Sequence, residues 1–93
     1  MKFDRIIMRV HAFERMHDRG ISMAEIEEVL KNGDVIESYP NDFPYPSELI
    51  AGQVGARQLH VVAALNPAEN SAIVITVYRP DPSRWSADFK RRK

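Results

Sequence analysis

At 93 residues, 44% hydrophobic and 28% charged, the chain has the size and composition of one globular domain around a single core. It has no cysteine, which removes disulfides, a thiolate metal site and a cysteine nucleophile together. The formal net charge of zero argues against tight nonspecific nucleic-acid binding, although residues 1–47 hold six basic and nine acidic side chains and residues 48–93 seven and four, so the halves are −3 and +3.

No stretch approaches the roughly 18 apolar residues of a bilayer span, and no signal-peptide pattern opens the chain. A cytoplasmic protein without membrane contact is expected. No internal repeat is present.

Residues 1–8 mix apolar and charged types, and a first helix is expected to begin between Asp4 and Val10 and to run to Arg19. At about 100° per residue, Ile6, Val10, Phe13 and Met16 share a side, with His17 near Val10. His11, Glu14, Arg15, Asp18 and Arg19 take the other side, so His11 and Arg15 are neighbours four residues apart. Gly20 supplies the helix stop, with Arg19 at the negative end of the dipole. Ser22 and Glu25 have the spacing of a capping box, and Ile21 is placed to staple onto Ile26. The second helix spans 23–32, with Met23, Ile26, Val29 and Leu30 as its apolar line and Asn32-Gly33 as its end.

The period then changes to two. Strands are expected at Val35–Tyr39, Ser47–Val54, Arg57–Leu65 and Ser71–Arg79. The first two are separated by a proline-bracketed loop, the last two by the turn Asn66–Asn70. Short connections favour an antiparallel meander. After Pro80, Ser83 is a candidate cap for a short helix carrying Trp85 and Phe89, and KRRK reads as a solvated tail. The expected fold is therefore α+β: two N-terminal helices packed on a four-stranded antiparallel meander, with a short C-terminal helix or tail, all in one domain, residues 1–93.

Alternation puts Leu59, Val61, Ala63 and Leu65 on one face of the third strand and His60, Val62 and Ala64 on the other. In the fourth, Ile73, Ile75, Val77 and Arg79 share a face opposite Val74, Thr76 and Tyr78. His60 is the lone ionisable group in an apolar strand. Its ordinary reading is a half-buried histidine satisfied by a backbone carbonyl or by Tyr78; its chemical reading is a general acid or base. Tyr78 and Arg79 read ordinarily as amphipathic packing and an exposed cation. The His11–Arg15 pair reads ordinarily as solvated helix surface. Brought together, His11, Arg15, His60, Tyr78, Arg79 and Trp85 would make a phosphate-handling pocket. No metal motif, glycine-rich phosphate loop or Ser–His–Asp signature is present, and no cofactor is expected.

The segments HAFERMHDRGIS at 11–22, RQLHVV at 57–62 and TVYRPDPSRW at 76–85 resemble a family of small bacterial domains of unknown function, with the pattern H-A-x-x-R-M-x-x-R-x-I-S, then L-H-V-V, then T-V-Y-x-P-D and a tryptophan. The helix–helix–meander order is similar, more distantly, to RelE- and BrnT-like toxin ribonucleases, which are typically basic where this chain is neutral. That resemblance implies metal-independent RNA cleavage neutralised by an antitoxin. It would make His60 the acid–base group, Arg15 and Arg79 the phosphate or transition-state cations, and His11 and Tyr78 the substrate-orienting groups. RNA and an antitoxin-like protein would then be the partners. The rival expectation is a non-catalytic interaction module that binds a protein or a second copy of itself through the first helix or a sheet edge. Convergence of His11, Arg15, His60 and Arg79 on one concave surface would favour the enzyme; an enclosed His60 would disfavour it.

Overall fold

The computed structural model describes residues 1–93. The elements run β1 (Arg5–Met8), α1 (Val10–Asp18), α2 (Met23–Asn32), β2 (Asp34–Tyr39), β3 (Ser47–Val54), β4 (Arg57–Asn66) and β5 (Ser71–Tyr78). The strands form one sheet in the order β1-β5-β4-β3-β2. Strands β2 to β5 are the antiparallel meander, and β1 lies parallel to β5 with Arg5 opposite Ser71 and Met8 opposite Val74. No helix is long and apolar enough to cross a membrane.

The class is α+β, but the sheet is five-stranded and mixed, which corrects the expected four-stranded antiparallel layout. The missing element is β1. Its four residues alternate, Arg5 and Ile7 exposed and Ile6 and Met8 packed against the core, yet four residues of period two are too few to stand out beside a helix pattern. A parallel partner 66 positions away, Ser71 to Arg5, leaves no turn signal between them either.

The same strand shortens the first helix to nine residues and turns its face. Ala12 and Met16 are its buried side chains, whereas Val10 is 73% and Phe13 50% exposed. The expected apolar side leaned on Ile6, which belongs to β1. The inter-helix signals hold. Gly20 takes φ +61, a conformation in which a side chain is strained. Glu25 N donates to Ser22 Oγ at 3.1 Å and Ser22 N to Glu25 Oε1 at 2.9 Å, a complete capping box. Ile21 and Ile26 both sit in the core cluster. Gly33 ends α2 for a different reason than expected. It is extended, not left-handed, and a Cβ there would stand 2.6 Å from the Val29 carbonyl oxygen and 2.7 Å from that of Ala51.

Helix α1 packs on β5, and α2 on β3 and β4. Between them lies the core: Ile26, Val29 and Leu30 from α2, and Ile50, Leu59, Val61, Ala63, Ala72, Val74 and Val77 from the sheet. Each such branched side chain contributes roughly 1.5–3 kcal/mol by leaving water. Val74 and Val77 both face the helices because the β4–β5 register shifts at Val62/Ala63, a bulge that breaks the strict alternation expected for β5.

The sheet's second face carries His60 and Tyr78, paired across β4 and β5. Residues 81–93 fold over it as turns with one bridge, Trp85 to Arg92, and the expected C-terminal helix does not form. Asp81, not Ser83, organises its start. Its carboxylate accepts from Ser83 N and Ser83 Oγ, both at 2.8 Å, which makes an Asx turn instead of a helix cap.

Candidate anion-binding cleft

Where β5 ends, the chain runs Tyr78-Arg79-Pro80-Asp81 and doubles back through Arg84 and Trp85. Together with Arg19 and Arg92 these residues line an open cleft of about 340 Å³. Four arginines thus meet one aspartate. Arg19 follows the last turn of α1 and is held by the sheet, its Nη1 donating to the Val77 carbonyl at 3.2 Å. Arg92 is held from the other side. Its Nε and Nη2 donate to Glu37 of β2 at 2.7 and 3.0 Å, and its guanidinium lies 4.7 Å from the centre of the Trp85 ring. Arg79 and Arg84 make no ion pair and no side-chain hydrogen bond, so their donors are uncommitted.

Burial and hydrogen bonding set the electrostatics around the cleft. The Arg92 guanidinium, with a hydrogen bond from Tyr39, holds the Glu37 carboxyl below its usual range and Arg92 in turn more firmly charged. Burial and its bond to Glu37 push the Tyr39 phenol up to about 12. Hydrogen bonds from Ser83 lower the Asp81 carboxyl. That carboxylate already serves Ser83, so it competes little with a bound anion.

His60 is 1% exposed and lies behind this wall. Tyr78 and Trp85 stand edge-on to its ring, with centroids 5.2 and 4.5 Å away. Nε2 is 2.7 Å from the Phe89 carbonyl oxygen, which only accepts, so Nε2 carries the proton. Nδ1 then accepts from the Tyr78 hydroxyl at 3.1 Å. Burial lowers the imidazole pKa against the opposing pull of the Phe89 carbonyl, and burial raises that of Tyr78. The result is a neutral histidine with both nitrogens used: a hydroxyl–imidazole–carbonyl chain whose hydroxyl belongs to a cleft residue.

The five residues singled out from sequence do not converge. Tyr78 and Arg79 line the cleft, and His60 backs Tyr78 from inside. His11 is elsewhere, its Nε2 3.2 Å from Thr76 Oγ1. Arg15 is paired with Asp18 at 3.4 Å on the outer surface of α1. Neither lines the cleft. Sequence reasoning missed Arg19 as a cleft group, and Arg84, Arg92 and Glu37 altogether. The tail's arginines carried the signal, but only folding back over the sheet gives them a common target. No group of three or more His, Cys, Asp or Glu side chains is placed to hold a metal ion.

No curated protein and no solved structure matches this chain. Residues 8–79, from the end of β1 through β5 and most of the chain, match a family described as a domain of unknown function, DUF4258, and the chain belongs to that family.

Proposed function

We propose that this domain binds the phosphodiester backbone of single-stranded RNA in the arginine cleft. The observation that carries the reading is the convergence of Arg19, Arg79, Arg84 and Arg92 on one concave surface, with Arg79 and Arg84 unpaired. Guanidinium forks match phosphate oxygens, and free ones need no ion pair broken before they bind. A cleft of about 340 Å³ accommodates a phosphate and part of a nucleoside, which suits a single strand better than a duplex. The neutral net charge is compatible with this, because the cations are gathered in one place instead of spread over the surface.

A second reading, toxin-like metal-independent cleavage of that RNA, has the Tyr78–His60–Phe89 chain in its support and the enclosure of His60 against it. In it the Tyr78 hydroxyl touches substrate and His60 acts behind it as a positioning residue, holding that hydroxyl through Nδ1.

The test is fluorescence anisotropy of a labelled oligouridylate against wild type and Arg79→Ala/Arg84→Ala, across a salt series. Loss of two phosphate contacts weakens binding about ten-fold or more and flattens the log–log salt slope by about 0.7 per arginine. Failure of the wild type to bind at low salt, or an unchanged slope in the variant, overturns the proposal. The same samples in EDTA, run on a denaturing gel beside Tyr78→Phe, report cleavage separately from binding.

A further inference from the structure

We infer that the outer edge of β1 is a docking site for an extended segment of a partner protein, one that alternates apolar and acidic side chains and adds to the sheet as a further strand. The two edges of this sheet differ. The β2 edge is guarded: its register shifts between Val35 and Glu37, and the tail clamps it through Lys90 to Asp34 at 2.7 Å and Arg92 to Glu37. The β1 edge has no bulge, no proline and no clamp.

Its backbone is poised for pairing. Arg9 N donates inward to Val74 O at 3.1 Å, in step with the Met8–Val74 register, and parallel pairing alternates along the strand, so Arg5 and Ile7 face β5 while Ile6 and Met8 turn their N–H and C=O groups outward. Asp4 N, bonded to Asn70 O at 2.8 Å, fastens the start of the strand to the turn before β5. The side chains of the alternate positions, Arg5 and Ile7, are exposed beside this backbone edge. Ile7 is 39% exposed, and Arg5 is exposed, whereas Ile6 and Met8 pack inward.

Charge complementarity selects the occupant. Lys2, Arg5 and Arg9 are exposed and unpaired, and Asp4 is the one acid among residues 1–9, which leaves the edge at +2. A second copy would bring the same excess of cations against itself. An acidic segment meets them, with an apolar side chain beside Ile7 and a carboxylate beside Arg5. This surface does not include the arginine cleft and stands without it.

The experiment is an ¹⁵N NMR titration with a short synthetic peptide of alternating Val and Glu, beside the same peptide with Lys in place of Glu. The Glu peptide is expected to shift the amides of Arg5–Met8, slow hydrogen exchange at Ile6 and Met8, and bind at least ten-fold more tightly than the Lys peptide. Arg5→Glu/Arg9→Glu is expected to reverse that preference. Ile6→Pro, which deletes an outward N–H, is expected to abolish binding of either; should it fail to fold, the charge reversal decides alone. Absence of β1 shifts, equal binding of the two peptides, or a free protein that already sediments as a dimer with protected β1 amides overturns the proposal.

Discussion

The Nε2–H of His60 donates to the Phe89 carbonyl at 2.7 Å across 29 positions of sequence, and so ties the second face of the sheet to the tail. Phe89 holds φ +60, a left-handed backbone that costs a phenylalanine about 1 kcal/mol. The hydrogen bond to a buried imidazole offsets that cost. Trp85, 5% exposed and edge-on to the same ring, makes the attachment apolar as well as polar.

Stability is expected to depend on pH through this histidine, with a definite sign. Burial keeps the folded-state pKa of His60 below the ordinary value of about 6.5. Above that value the ring is neutral in both states and its full contribution is present. As pH falls below it, the unfolded chain takes up a proton that the folded chain refuses, and stability declines until the folded pKa is passed. Urea unfolding between pH 8 and 5 is expected to show this decline in wild type and a shallower one in His60→Gln. The substitution itself is expected to cost about 2 kcal/mol at pH 8, since it disturbs two hydrogen bonds and two aromatic contacts. Equal pH slopes would mean that His60 does not titrate between the two states.

Glycine substitutions are expected to separate crowding from backbone conformation. At Gly33 a Cβ meets two backbone carbonyl oxygens, of Val29 and Ala51, and Ile50 Cγ2 at 2.8 Å, and backbone does not step aside cheaply. Gly33→Ala is therefore expected to cost about 2–4 kcal/mol, through displacement of α2 from β3. Gly20 has open space around it and φ +61. Gly20→Ala is expected to cost only about 1 kcal/mol, and Gly20→Asn less, because asparagine tolerates the left-handed region. Urea midpoints of the three variants check the order; a Gly33→Ala protein as stable as Gly20→Ala would refute the crowding argument.

What was legible in the sequence was local. Ser22 and Glu25 cap a helix by a spacing of three, and Gly20 stops one by its own conformation, so both could be read without the fold. The meander was legible because each turn lies between strands adjacent in sequence. Strand β1 was not, because its partner is the last strand and its pattern is four residues long. The cleft was half legible for the same reason. Tyr78 and Arg79 stand together in sequence, but Arg19, Arg84 and Arg92 reach them only through tertiary folding, and His11 and Arg15 looked equally suitable until α1 was turned to bury Ala12 and Met16.

Arg57 connects the two legible parts, and its guanidinium is expected to matter more than its charge. From β4 its Nη1 donates to Gly20 O at 3.1 Å and reaches Glu25 Oε2 at 3.1 Å, while Nη2 donates to Arg19 O at 3.4 Å. One fork thus holds the inter-helix turn, the acidic member of the capping box and the backbone of a cleft arginine. Arg57→Lys keeps the charge beside Glu25 but loses the fork, since an ammonium is a point donor on a longer, looser stem. The expected cost is about 1–2 kcal/mol in urea unfolding. Oligouridylate affinity is expected to fall a few-fold, because Arg19 then sits on a less fixed turn. Glu25→Gln, which keeps the cap geometry and weakens only the ion pair, is expected to leave that affinity near wild type. If both substitutions lowered affinity equally, the pairing of Arg57 with Glu25, and not its grip on the turn, would be what positions Arg19.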